Sequence, residues 1–114
     1  MSEKRALKFN ELLRQELAKI INNFLDIKPG VLVTVTRVIT VPNLFNANIY
    51  ISVYPAGESQ EIFKNLNKYI YQIQQLLNKK LKVRPVPKIN FVYDKNPEEA
   101  AEIEELLEEV KNDK

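Results

Sequence analysis

Apolar residues recur along this chain with two periods, and the switches between them mark its elements. Over residues 4–25, Leu7, Leu13, Leu17, Ile20, Ile21 and Phe24 recur at helical spacing, with Glu11, Arg14 and Lys19 off that face. The helix ends between Asp26 and Gly30, where Pro29 cannot continue it and Gly30 tolerates positive φ. Residues 31–41, VLVTVTRVITV, then read as a β-branched strand, too apolar on both faces for an exposed edge. After a turn at Pro42-Asn43, strict alternation puts Ala47, Ile49, Ile51 and Val53 on one face and Asn48, Tyr50, Ser52 and Tyr54 on the other. The short connection predicts an antiparallel hairpin, with one face on the helices. Tyr50 and Tyr54 on the other face either cover the sheet or offer stacking platforms for bases.

Pro55-Ala56-Gly57 breaks the second strand, and a long amphipathic helix follows over residues 59–80. Its inner stripe is Ile62, Leu66, Ile70, Ile73 and Leu77, flanked by Phe63 and Leu76. A second stripe, Lys64, Lys68, Gln72, Gln75 and Lys79, steps the same way with no apolar residue. At Tyr69-Ile70-Tyr71 bulky residues crowd around the helix, so one tyrosine must face outward or bridge to another element. Beyond the helix, Pro85 and Pro87 force an extended path into a third strand, roughly 87–93, in which Ile89, Phe91 and Tyr93 alternate with other residues. A final helix starts at Asn96-Pro97, with Glu99 placed to close a capping box. Its narrow apolar face is Ala100, Ile103, Leu106, Leu107 and Val110.

The order is helix, strand, strand, long helix, strand, helix: an α+β domain with its helices on one face of a small three-stranded sheet. Residues 1–95 form the body, and residues 96–114 an acidic helix and tail. Charge divides at the same boundary, with a net +8 before it and −6 after it. A basic body suits a polyanionic partner. The candidate contacts are Lys64 and Lys68 on the long helix, then Lys79, Lys80, Lys82 and Arg84 in the run KKLKVRPVPK, with Arg37 from the sheet. If about five of these displace counterions, log K falls with log salt at a slope of about −3.5 to −4.5.

The chain has no cysteine and no histidine. Disulfides, thiolate or imidazole metal sites, cysteine nucleophiles and histidine bases are thereby excluded. Two glycines leave no glycine-rich phosphate loop. No cofactor and no small-molecule substrate are expected, and a hydrolase using carboxylates such as Asp94 and Glu98 has little to support it. No apolar run approaches the roughly 20 residues that span a bilayer. With no export signal at the N-terminus, a cytoplasmic monomer is the expectation.

The ordered set Val33, Thr34, Val35, Thr36, Val38, Leu44, Ala47, Ile49, Tyr50, Ile51 and Ser52 resembles the hairpin of the bacterial ribosome-binding factor A family. Leu76-Leu77 and Lys79, then Leu81, Arg84 and Pro87-Lys88-Ile89-Asn90-Phe91-Val92-Tyr93-Asp94, are similar to its later elements, and Ile103 through Leu107 to its closing motif. The resemblance implies a type II KH-like fold. It implies a non-catalytic assembly factor that binds the free 30S subunit through 16S rRNA in late maturation, rRNA processing and cold adaptation. Two positions depart from the pattern. Tyr69-Ile70-Tyr71 stands where the family has an Ala-x-Gly kink, and Asn43 where it has an aspartate. The rival reading is a protein-interaction module working through the acidic helix at 98–110.

Overall fold

A computed structural model describes residues 3–41, 45–82 and 84–95. The Pro42-Asn43 turn, Leu44 and the acidic helix read from the sequence at 96–114 lie outside the described residues.

The first helix, α1 (Glu3–Phe24), buries Leu13, Leu17, Ile20 and Ile21. Leu7, expected on that face, is 63% exposed. It lies on the line of Glu11 and Arg14, four and seven residues on, which is roughly a quarter-turn from the buried stripe. Glu11 and Arg14 pair along this exposed line. Beyond α1, Gly30 has φ +87°, the left-handed turn its lack of Cβ permits.

Strands β1 (Leu32–Thr40) and β2 (Asn46–Tyr54) pair antiparallel, and β3 (Lys88–Tyr93) joins β2 in parallel, giving the order β1-β2-β3. β2 is therefore central, and its alternation is that of a strand with one face packed on the core: Ala47, Ile49, Ile51 and Val53 are all fully buried. The expectation that residues 31–41 are too apolar for an edge is corrected, because β1 is an edge strand. Its inner face, Val33, Val35 and Val38, is buried, while Leu32 and Ile39 stand 65% and 41% exposed on the other. Its β-branched content reflects burial under α1 rather than a central position. Thr40 Oγ1 donates to Asn10 Oδ1 (3.0 Å), tying this strand to α1.

The free edge of β1 is also interrupted. Val35 faces Ile51 and Arg37 faces Tyr50, leaving Thr36 as an extra residue in a bulge. A bulge twists an edge strand and disrupts the ladder that another chain would extend.

The long helix is two helices, α2 (Ser59–Lys68) and α3 (Ile70–Lys80), which meet at Tyr69. A single 3-10 turn, Ala56–Glu58, leads into α2, and Lys28 pairs with Glu58 there (3.1 Å). Ile62, Leu66, Ile73 and Leu77 are buried, as the inner stripe requires. Tyr69 has φ −107° and ψ 15°, outside the helical region but at negative φ, so the break needs no glycine. Hydrogen bonds run through it: Tyr69 N donates to Asn65 O (3.0 Å) and Ile73 N to Tyr69 O (2.9 Å). The Tyr69 ring packs edge-on against Phe24 of α1, centroids 5.4 Å apart. Tyr71 faces outward, 70% exposed. The crowded tyrosines are thus divided between core and solvent.

Candidate nucleic-acid interface

From Ile62 to Tyr93 the sequence contains seven lysines and arginines and no acid. The fold determines how these cations are displayed. The apolar stripe of α2 and α3 is consumed by the sheet, so the polar stripe must face solvent. Lys64 and Lys68 on α2, Lys79 and Lys80 at the end of α3, and Lys82 just beyond are all exposed. Gln72 and Gln75 are exposed between them. Five predicted cations therefore stand on the helical layer. At 1.5 Å per residue, Lys64 and Lys79 are separated along the two helices by at most roughly 22 Å.

Arg84 has a different environment. Its Nη1 donates to Leu81 O (2.7 Å) and its Nη2 to Asn78 O (3.1 Å). These are carbonyls at the end of α3 with no partner further along the helix, and a guanidinium there also meets the negative end of the helix dipole. Arg84 holds the basic run in place by closing α3. Arg37 is not brought to the same surface. It lies on the face of the sheet away from the helices, with its guanidinium carbon 4.1 Å from the centre of the Tyr50 ring. That stacking uses one face of a ring considered as a platform for bases. Tyr54 remains exposed at the end of β2.

Two features escaped the periodicity reading, while Tyr71 took one of the two places it allowed for the crowded tyrosines. Gln74 on α3 works as a piece of backbone: its Nε2 donates to Pro87 O (3.1 Å) and its Oε1 accepts from Ile89 N (2.9 Å). The amide thus satisfies the outer edge of β3 where it begins. The Thr36 hydroxyl donates to Asp94 Oδ2 (2.6 Å), joining the β1 bulge to the end of β3. Tyr71, beside the lysine stripe, is exposed within it. The available sequence signal for Gln74 was only its place next to Ile73 of the apolar stripe; nothing local pointed to the Thr36–Asp94 pair.

A groove of about 440 Å³ runs between α1 and α3, with Ile20, Phe24 and Leu76 in its lining and Glu16, Lys19 and Lys80 among its charged residues. Among the described residues no three of His, Cys, Asp and Glu cluster as metal ligands. None of the described helices is long and apolar enough to cross a membrane. What the described surface offers is positive charge spread along a helix pair.

The sequence profile of ribosome-binding factor A matches residues 5–107 of the chain. The chain belongs to the ribosome-binding factor A family. Ribosome-binding factor A of Halothermothrix orenii is 35% identical over 115 aligned positions, covering 99% of this chain and 93% of the relative. That of Staphylococcus epidermidis is 34% identical, with both chains fully covered. The fold agrees. The crystal structure of ribosome-binding factor A from Thermus thermophilus superposes with a TM-score of 0.68 at 18% identity, over 77% of this chain and 93% of that one. A homology model of the Thermus thermophilus factor, fitted into a cryo-EM map of its complex with the 30S subunit, gives 0.63 at 19% identity, over 76% and 92%. The KH-like α+β arrangement expected from the sequence is consistent with these neighbours.

Proposed function

We propose that this chain is a non-catalytic assembly factor of the bacterial cytoplasm that binds the 30S ribosomal subunit through its 16S rRNA. The reading rests on family membership together with one observation: an acid-free stretch from Ile62 to Tyr93 whose lysines are exposed along α2, α3 and the turn beyond. The Thermus thermophilus relative fitted into a 30S complex supports the choice of subunit. Lys64, Lys68, Lys79, Lys80 and Lys82 neutralise backbone phosphates, which positions the protein without specifying sequence. Arg84 closes α3 beside them, and Arg37 lies on the face of the sheet away from the helices. We read the fold as of the type II KH kind, with the break at Tyr69 in place of the loop that such domains use.

Binding to a maturing subunit requires no bond chemistry. A factor that prefers the immature rRNA shape, and loses affinity as the subunit matures, is released by that difference alone. We propose that it acts late in maturation, alongside 16S rRNA processing and growth in the cold, as its family membership suggests. It works as a monomer and without a cofactor. The test is sedimentation of the protein with purified 30S, 50S and 70S particles. Co-sedimentation with the 30S subunit alone is expected; equal binding to all three, or to none, would overturn the reading.

A further inference from the structure

The exposed stripe on α2 and α3 is not uniformly polar. Starting from Lys64, steps of four, three, four and four reach Lys68, Tyr71, Gln75 and Lys79, and all five are exposed. Tyr71 is therefore an aromatic ring in the middle of a cationic ridge. It is roughly 5 Å along the axis from Lys68 and 12 Å from Lys79 at the helical rise. With 70% of its surface in water, it contributes little to the core. The other tyrosines near the helices are used internally, Tyr69 against Phe24 and Tyr93 against Phe63, and Tyr50 lies under Arg37.

Leu7, Leu32 and Phe45 are exposed to a similar degree, but Tyr71 differs from them in standing among the exposed lysines of α2 and α3. Its neighbours are groups that hold phosphates, and an aromatic face between phosphate contacts is how proteins hold unpaired bases. Lys64 and Lys68 on one side and Lys79 on the other would hold a strand, with the ring placed to receive a base between them. Gln72 and Gln75 flank it with amides able to bond to a base edge or sugar.

We infer that Tyr71 is a stacking site for one unpaired nucleobase, so that this helix pair binds single-stranded RNA in preference to a fully paired duplex. The inference rests on the rRNA-binding reading and makes it more specific.

The test compares the wild type with Tyr71→Phe, Tyr71→Ala and Tyr71→Lys on two probes, a 12-nucleotide single-stranded RNA and a blunt duplex RNA of the same length. Thermal unfolding confirms that the variants fold, as they should with an exposed ring. Tyr71→Phe is expected to bind the single strand within about twofold of wild type. Tyr71→Ala should weaken that binding by about 5- to 100-fold at an unchanged salt slope, because a stack and no phosphate contact is lost. Duplex binding should barely change. Tyr71→Lys separates the alternatives: a purely electrostatic ridge gains affinity from the added cation, whereas a stacking site loses it. Wild-type binding to the single strand with no loss in Tyr71→Ala, or a gain in Tyr71→Lys, overturns this inference and leaves the rRNA reading intact. If the wild type binds neither RNA, the stacking inference fails, while the rRNA reading is decided separately by sedimentation with 30S subunits.

Discussion

Thr36 and Asp94, fifty-eight residues apart in sequence, are joined by a 2.6 Å hydrogen bond from hydroxyl to carboxylate. Thr36 is the bulge residue of edge strand β1, and Asp94 follows the opposite edge strand β3. Asp94 N also donates to Ile51 O (2.8 Å) on the central strand, so one residue is attached to both other strands. The pair closes the sheet across its middle.

Asp94→Ala should therefore destabilise the protein although it removes no apolar contact. Hydrogen bonds to a charged group contribute about 1.5–3 kcal/mol; partial exposure places this one near the lower end. Thr36→Val should cost a similar amount, and the double variant less than the sum, because either change alone breaks the same bond. Urea unfolding of the four proteins measures this. Strict additivity would show that the two residues do not act together.

Gln74→Leu is a near-isosteric change that should cost about 1–3 kcal/mol, since it strands Ile89 N–H and Pro87 C=O at the start of β3. Hydrogen exchange at Ile89 should accelerate more than exchange in the middle of β2. Uniform acceleration across the sheet would instead indicate that Gln74 stabilises the fold generally and does not cap that edge.

Arg84 and the lysines beside it should separate in their effects. Arg84→Lys keeps the charge but loses the fork that reaches two carbonyls, so it should lower the unfolding temperature. Lys80→Gln and Lys82→Gln should leave stability within about 0.5 kcal/mol, as surface changes usually do, while weakening RNA binding. An Arg84→Lys variant as stable as wild type would return Arg84 to the set of simple phosphate contacts.

Glu11 provides a pH signature. Hydrogen bonds from Arg14 and Gln15 hold its carboxyl at about 2, well below the ordinary 4.5. Between those values the unfolded chain binds more protons than the folded one, so this contribution is complete above about pH 4.5 and lost as pH falls towards about 2. The pair is exposed and salt-screened, so its effect is small. Glu11→Gln should flatten that part of the stability–pH curve at low ionic strength. A curve of unchanged shape would mean the pairing is not maintained in solution.

How much of this was legible in the sequence follows from range. Periodicity located α1, the three strands and the joint span of α2 and α3 to within a residue or two, because the inner faces repeat what the core demands. It read α2 and α3 as one helix, however, and passed over the 3-10 turn at Ala56–Glu58. Gly30 was legible for an equally local reason. The position of β1 was not, since an apolar strand under a helix and an apolar strand between two others look alike in one dimension. The break at Tyr69 was not legible in the periodicity either, and the residue that packs on its ring, Phe24, lies forty-five residues earlier. Gln74, Thr36 and Asp94 have roles only because folding brings distant backbone to them. Of the candidate contacts, Lys64, Lys68 and Lys79 followed from helical phase, and Lys80 and Lys82 from the basic run that ends the helix. Arg37 and Arg84 were chosen for charge alone, and the structure gives each a neighbour that composition could not supply.

The most direct test of the central claim is the binding of a Lys64, Lys68, Lys79→Glu triple variant to 30S subunits across a salt series. These side chains are exposed, so the variant should fold with an unfolding temperature close to wild type. The account predicts that binding weakens steeply and that the log K against log salt slope becomes shallower by about 2–3, as three phosphate contacts disappear. A triple variant that binds with wild-type affinity and slope would contradict it, and the ridge on α2 and α3 would not be the surface that meets the subunit.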